Sequence, residues 1–243
     1  MQTETNSHAA QPQLWQAQLP GRPLSGLTVL VVEDSRIASE AMRLLCLRSG
    51  ARIRRADSLR TAMRHLQTYR PSVVIVDMGL PDGNGADLIG KIRALGTQSP
   101  VVLAISGNPD TEDAALAAGA AGFMIKPIEN LAVFQQTLLA ALPSHELPKG
   151  LRVLPNDIVA PDKTALRQDL THVAQVLAAA EDGEAIGYIA RFLTGVARSA
   201  HDAKLAEAAA ALARDHQAGR GVATDLTRIS GLVHDRLAAV ASA

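Results

Sequence analysis

Val73-Val74-Ile75-Val76-Asp77-Met78-Gly79-Leu80-Pro81-Asp82-Gly83 is the stretch that decides the fold of this chain. Branched apolar residues run directly into an acid, and turn-forming residues follow. A continuous apolar run bounded by turn signals reads as a strand covered on both faces. Asp77 then stands at the carboxyl end of that strand. In an open α/β sheet, ligands bind outside that edge.

The pattern extends outward in both directions. Leu27-Thr28-Val29-Leu30-Val31-Val32 reads as an earlier strand, ended by Glu33-Asp34-Ser35. Ile37, Ala41, Leu44 and Leu45 follow helical spacing up to Ser49-Gly50. Ala51 to Arg55 is a short strand, and Ser58 caps a helix that stops near Pro71. After the Asp77 turn comes a helix through Leu88, Ile89, Ile92 and Leu95. Val101 to Ile105 is a strand ended by Ser106-Gly107. A short Ala-rich helix covers Asp110 to Ala118. Ala121 to Ile125 is a strand stopped by Lys126-Pro127, and a helix spans Glu129 to Leu142. Strands alternating with helices in this way predict parallel pairing through right-handed crossovers, with helices on both faces of one sheet.

In a parallel sheet the carboxyl ends all face the same way, so their residues can converge. The first strand brings Glu33 and Asp34, the third Asp77, the fourth Ser106 and the fifth Lys126. Carboxylates packed together repel and raise one another's pKa values. A hard divalent cation relieves that repulsion, and oxygen donors with room for water suit Mg²⁺ better than Zn²⁺. Lys126 offers a point charge to an anionic oxygen, and Ser106 a hydroxyl to another. The set is suited to receiving a phosphoryl group on a carboxylate, where catalysis is mostly positioning and charge neutralisation. Each residue alone has a plainer reading as a turn former, helix cap or loop residue. Their joint placement at the strand ends carries the argument.

Residues 26–144 resemble the receiver domain of bacterial response regulators in two-component signalling, the CheY-like family. The landmarks are Glu33-Asp34, Asp77, the Met78-to-Gly83 turn, Ser106 and Lys126-Pro127. The resemblance implies a flavodoxin-like, doubly wound five-stranded sheet of order 2-1-3-4-5. It implies Asp77 as phosphoacceptor. It also implies Mg²⁺ held by Asp34, Asp77 and the Met78 carbonyl, with Glu33 acting partly through water. Phe123 falls at the family's switch aromatic, which would follow Ser106 toward a phosphorylated Asp77. The phosphodonor would be a sensor histidine kinase, an Hpt protein or a small phosphodonor. Gly79 stands where many relatives carry a longer side chain. The family also often has a cis bond before the proline matching Pro127. No enzyme activity is expected beyond the domain's promotion of its own phosphorylation and dephosphorylation.

Composition sets the outer limits. The chain has 243 residues and no formal net charge, so nothing pulls it toward nucleic acid or an acidic membrane. Its single cysteine, Cys46, excludes an intrachain disulfide and reads as a small buried hydrophobe. No signal-peptide layout is present, and no apolar run approaches the ~20 residues that span a bilayer. A cytoplasmic protein without a membrane partner is expected. Residues 1–25 read as a disordered tail containing Trp15, and residues 145–162, interrupted by prolines, as a linker.

Residues 163–243 are Ala-rich and read as an all-α bundle of four helices, about 163–181, 184–199, 202–217 and 221–241. In the second of these, Ile186, Ile189, Leu193, Val196 and Ala200 form the core face, and Tyr188, Arg191, Gly195 and Arg198 the opposite one. A glycine on an exposed helical face costs ~1 kcal/mol relative to alanine, and close approach of a partner would justify it. Arg191-Phe192-Leu193-Thr194-Gly195 resembles the His-x-Leu-Lys-Gly motif of histidine-phosphotransfer (Hpt) domains. Arg191 replaces the phosphorylatable histidine and Thr194 the lysine, so the resemblance implies a pseudo-Hpt surface unable to relay a phosphoryl group at that position. His172, His201 and His234 lack the motif's context and read as solvent-facing or capping residues.

The expected function is therefore a response regulator switched at Asp77, with the bundle as a protein-interaction output toward its own receiver, another receiver or a kinase. A homodimer through the surface of the fourth helix and fifth strand is also permitted. The alternatives are a transcriptional regulator with an unusual DNA-binding bundle and a phosphorelay protein using another histidine. The absence of a basic helical stripe argues against DNA.

Overall fold

The computed structural model describes residues 22–143, 157–160, 163–179 and 183–241. Trp15, most of the expected N-terminal tail and most of the expected linker lie outside the described residues.

The strands are β1 Thr28–Val32, β2 Arg52–Ala56, β3 Val73–Asp77, β4 Val101–Ser106 and β5 Gly122–Ile125. All pair in parallel, in the order β2-β1-β3-β4-β5. The helices α1 Arg36–Arg48, α2 Leu59–Thr68, α3 Gly85–Arg93, α4 Glu112–Ala117 and α5 Leu131–Ala141 cover both faces. Alternation along the strands divides the core. Val29, Val31, Ile75, Leu103 and Ile105 share one apolar cluster with α1 and α5. Leu30, Val32, Val74, Val76 and Ala104 share the other with α3 and α4. Period-two side chains on a sheet buried on both faces produce this division.

Local chemistry sets the helix starts. Ser35 caps α1 by accepting from the Ala38 amide, and Ser58 and Thr61 form a reciprocal capping box on α2. Asn84 and Asn130 cap α3 and α5. The turn after β3 closes as a two-residue antiparallel ladder, Gly79–Leu80 against Gly83–Asn84, where the sequence pattern predicts only a turn.

Two expected boundaries move. Leu24 is fully buried in the α1/α5 core, and its amide donates to the Ser49 carbonyl. The folded body therefore begins before residue 26. Beyond the sheet, Val159 is fully buried in the same core, and its amide donates to the Glu129 carbonyl. An Asn130–Ile158 bridge accompanies it, so this part of the expected linker is fastened to the start of α5.

The C-terminal helices are α6 Lys163–Ala179, α7 Gly183–Ser199, α8 Ala203–Gln217 and α9 Ala223–Ala241. Helix α6 packs on α7 and α9, and α8 packs on the same two. Leu170, Val173, Ile189, Leu193, Val196, Leu205, Leu212, Ile229 and Val233 make the bundle core. Ile37 belongs to this core although it lies on α1, and it is 3% exposed. The two halves thus share packing. Among the described residues, no helix is long and apolar enough to cross a membrane. Cys46 is fully buried, and burial pushes its thiol pKa up to about 12.

Candidate functional site

Register brings the acids together. Val32 pairs with Val76, and Asp77 with Ile105, so Glu33 and Asp34 leave β1 level with the end of β3. Ser106 pairs with Ile125, which places Lys126 one residue past the β5 end. The Lys126–Pro127 peptide bond is cis.

The resulting cluster is compact. Lys126 Nζ lies 3.0 Å from Asp77 Oδ2 and 2.5 Å from Glu33 Oε2. The latter contact is a short, buried ion pair. The Ser35 amide donates to Glu33 Oε1 at 3.1 Å. Ser106 is buried, and its hydroxyl oxygen accepts from the Asn108 amide at 3.0 Å. The Met78 carbonyl accepts from the Gly85 amide at 3.2 Å. A Cβ on Gly85 would stand 2.2 Å from the Asp77 carbonyl oxygen, so only glycine lets α3 start this close to the site. Phe123 is partly buried against the α3/α4 cluster.

Burial and crowding strain the charges. Burial, followed by the neighbouring Asp77 carboxylate, raises the Asp34 pKa to about 7. Glu33 is raised well above the ordinary range, chiefly by burial, with Asp77 and Asp34 adding to it and Lys126 opposing. Burial alone would lower the Lys126 pKa, but Asp77 and Glu33 hold it above its ordinary value.

Glu33, Asp34 and Asp77 each present a carboxylate oxygen within 4.8 Å of the others. This all-oxygen donor set, only partly neutralised by Lys126, fits a hard divalent cation such as Mg²⁺. Glu33 and Asp77 both lie against Lys126, and Asp34 completes the donor set.

The bundle forms the other wall. Helix α7 lies across the mouth of the cluster, enclosing a cavity of about 360 Å³ lined by Asp34, Asp77 and Ser106 on one side and Arg191, Thr194 and Gly195 on the other. The Tyr188 hydroxyl donates to Asp34 Oδ2 at 2.9 Å, and Arg198 donates to the Gly107 carbonyl. A Cβ on Gly107 would lie 3.5 Å from the Gly195 Cα. Gly195 thus lies close to Gly107 across the two halves. Neither glycine is sterically required: a Cβ on Gly107 would make an ordinary van der Waals contact, and one on Gly195 would meet nothing within 4 Å. A Cβ on Gly79 would lie 3.8 Å from Arg191 Cδ, so a longer side chain there would meet this arginine. The Thr194 hydroxyl donates to the Ala190 carbonyl within its own helix.

The sequence reading placed Tyr188 and Arg198 on the right face of α7 but assigned them no partner. It missed Asp169 altogether. Asp169 is 1% exposed, and it accepts from the Ser35 hydroxyl at 2.9 Å and from the Arg36 and Ile37 amides at 2.7 and 3.0 Å. A carboxylate from α6 thus caps the N-terminus of α1, where the helix dipole favours negative charge. No local pattern marks it, because its partners are more than 130 residues away. Of the histidines, His172 Nε2 lies 3.2 Å from the Tyr188 hydroxyl, His201 contacts Glu129, and His234 is exposed.

Comparison with known proteins bears on the sheet domain. Residues 29–137 match the family model of the response regulator receiver domain. The KDP operon transcriptional regulatory protein KdpE of Escherichia coli is 32% identical over 117 residues, covering 48% of this chain and 52% of that protein. The chain thus spans about half the length of the curated relatives it matches. Among solved structures, a putative response regulator from Chloroflexus aurantiacus is 28% identical with a TM-score of 0.43, covering 47% of this chain and 98% of that one. The receiver domain of sensor histidine kinase PA1611 from Pseudomonas aeruginosa, with a magnesium ion in its active-site cleft, is 22% identical with a TM-score of 0.44, covering 48% of this chain and 98% of that one.

Proposed function

We propose that this chain is a two-component response regulator that accepts a phosphoryl group on Asp77 and reports it through the C-terminal bundle. The observation that carries this reading is Asp77 buried at a strand end, 3.0 Å from Lys126 and grouped with Glu33 and Asp34 in a cation-fitting cluster. In the step itself, an Asp77 carboxylate oxygen attacks phosphorus, the bond from phosphorus to the donor's nitrogen or oxygen breaks, and its electron pair leaves with the donor. Mg²⁺, when bound through Asp34, Asp77 and the Met78 carbonyl, supplies charge neutralisation for the transferring oxygens. Lys126 faces the same oxygens as a fixed cation, and the Ser106 hydroxyl is placed to donate to one of them. Phe123, only partly buried, follows the Ser106 loop and transmits the change to the α4–β5 surface. Exposed Leu116 and Ile125 on that surface suit a homodimer.

A sensor histidine kinase or an Hpt protein is the donor in this reading, in the cytoplasm. The bundle is a pseudo-Hpt domain: Arg191 stands at the reactive position, and the motif-bearing face of α7 meets an acidic receiver pocket, that of its own chain. Residues 26–144 make up the receiver with Leu24 and Val159 completing its core, residues 163–243 make up the bundle, and the rest of the segment between connects them. Acetyl phosphate with Mg²⁺ will label the wild type as an acyl phosphate, and Asp77→Asn will lose at least nine-tenths of that label. Equal labelling of Asp77→Asn, measured by intact-mass spectrometry, would remove the assignment.

A further inference from the structure

The face that α7 turns to the receiver is continuous. Tyr188, Arg191, Gly195 and Arg198 recur at helical spacing and meet, in turn, Asp34, Gly79, and Gly107 twice. Three helical turns therefore lie across the pocket mouth, and the contact is fastened elsewhere. Asp169 takes up the Ser35 hydroxyl and two amides of the first turn of α1, and Ile37 is inserted into the bundle core. What remains beneath α7 is the cavity of about 360 Å³, a volume in the range that takes small molecules. Asp77 keeps 6% of its surface exposed there, and Asp34 is partly exposed.

We infer that the phosphoacceptor pocket is a two-domain chamber that selects its donor by size: with the bundle docked, Asp77 is open to a small phosphodonor and closed to a phosphohistidine carried on a folded protein. The inference rests on the proposed phosphorylation of Asp77. A histidine side chain is short, so transfer from a protein brings the donor's own backbone down to the pocket mouth. A helix with its side chains needs a channel ~10–12 Å across. That space is filled by α7, whose backbone at Gly195 already touches the position a Gly107 Cβ would take. A phosphoramidate or acyl phosphate needs only the cavity. Protein donors thus require the bundle to leave first, which makes Asp169 and Ile37 positioning residues for donor choice.

The test uses the full chain, Mg²⁺ and two donors: phosphoramidate, and the autophosphorylated catalytic core of a sensor histidine kinase. Asp169→Lys places a cation against the positive end of α1 and should release the bundle. The kinase core will label Asp169→Lys at least tenfold faster than the wild type, while phosphoramidate will label the two within about threefold. Gly195→Leu improves helix propensity and fills the cavity from above. It will slow phosphoramidate labelling at least tenfold on its own, and not when combined with Asp169→Lys. Amide exchange at Gly107, slow in the wild type and fast in Asp169→Lys, reads docking without any labelling. Equal exchange in the two proteins, equal kinase-core rates, or undiminished labelling of Gly195→Leu each overturns the inference. If phosphoramidate labels neither the wild type nor Asp169→Lys while exchange still reports docking, the phosphoacceptor reading fails instead, and the size selection of a donor with it.

Discussion

Lys126 is the residue on which the site's electrostatics turn. Its ammonium stands between Glu33 and Asp77, and all three are nearly inaccessible. Removing one member of such a buried set leaves uncompensated charge, which costs about 3–5 kcal/mol. Lys126→Met should therefore lower the urea midpoint of the sheet domain strongly, and divalent cation should restore part of the loss. Asp34→Asn should act in the opposite sense. It removes the charge that burial and Asp77 disfavour, so it should raise the melting temperature without Mg²⁺ and abolish most of the Mg²⁺-dependent increase, as differential scanning calorimetry would show. Gly85→Ala drives a methyl into the Asp77 carbonyl and should destabilise by more than the ~1–3 kcal/mol of ordinary overpacking, because backbone yields less than side chain. Glu33, Asp34, Asp77, Ser106 and Lys126 could be grouped from sequence because parallel register fixes where strand ends go. Asp169 could not be found, because an acid on a polar helix face looks the same whether it meets water or another domain.

At the scale of the element, α7 carries two faces with different legibility. Its apolar stripe follows from spacing alone, and Ile189, Leu193 and Val196 are buried in the bundle. The polar face has no periodic signature of what it touches, so its contact with the sheet domain emerges only in three dimensions. Helix α8 shows a simpler device. Asp202 caps it by accepting from the Leu205 amide and also pairs with Arg236 of α9 at 2.5 Å. The Arg236 hydrogen bond holds the Asp202 carboxyl below the usual carboxylate range. A depressed carboxyl pKa stabilises the fold fully above the unfolded value and loses that contribution as pH falls through the folded one. Arg236→Ala should cost up to ~1 kcal/mol at neutral pH, and the deficit should shrink below about pH 4, where Asp202 protonates in the unfolded chain. Urea titrations at pH 7 and pH 3 would show this convergence.

For the whole molecule, the decisive fact is that one side chain of the sheet domain completes the core of the helical one. Ile37→Ala should cost about 2–4 kcal/mol of packing and, combined with Asp169→Lys, should split a single cooperative calorimetric transition into two, since these two positions carry the fastening between the halves. The parallel sheet and the four helices were separately legible because each obeys its own periodicity. Their mutual placement was not, since it depends on a few cross-domain contacts that leave no periodic trace. The pinning of Val159 to Glu129 sets how far the halves can part. Only residues 160–162 separate that anchor from the start of α6 at Lys163. Fully extended, this stretch reaches about 14 Å at ~3.5 Å per residue. A released bundle is therefore on a short leash, and its local concentration at the sheet domain stays in the millimolar range expected of short tethers. Opening becomes a brief excursion against a strong intramolecular competitor. A soluble partner that captures the exposed face of α7 must either bind within that excursion or itself be held close by.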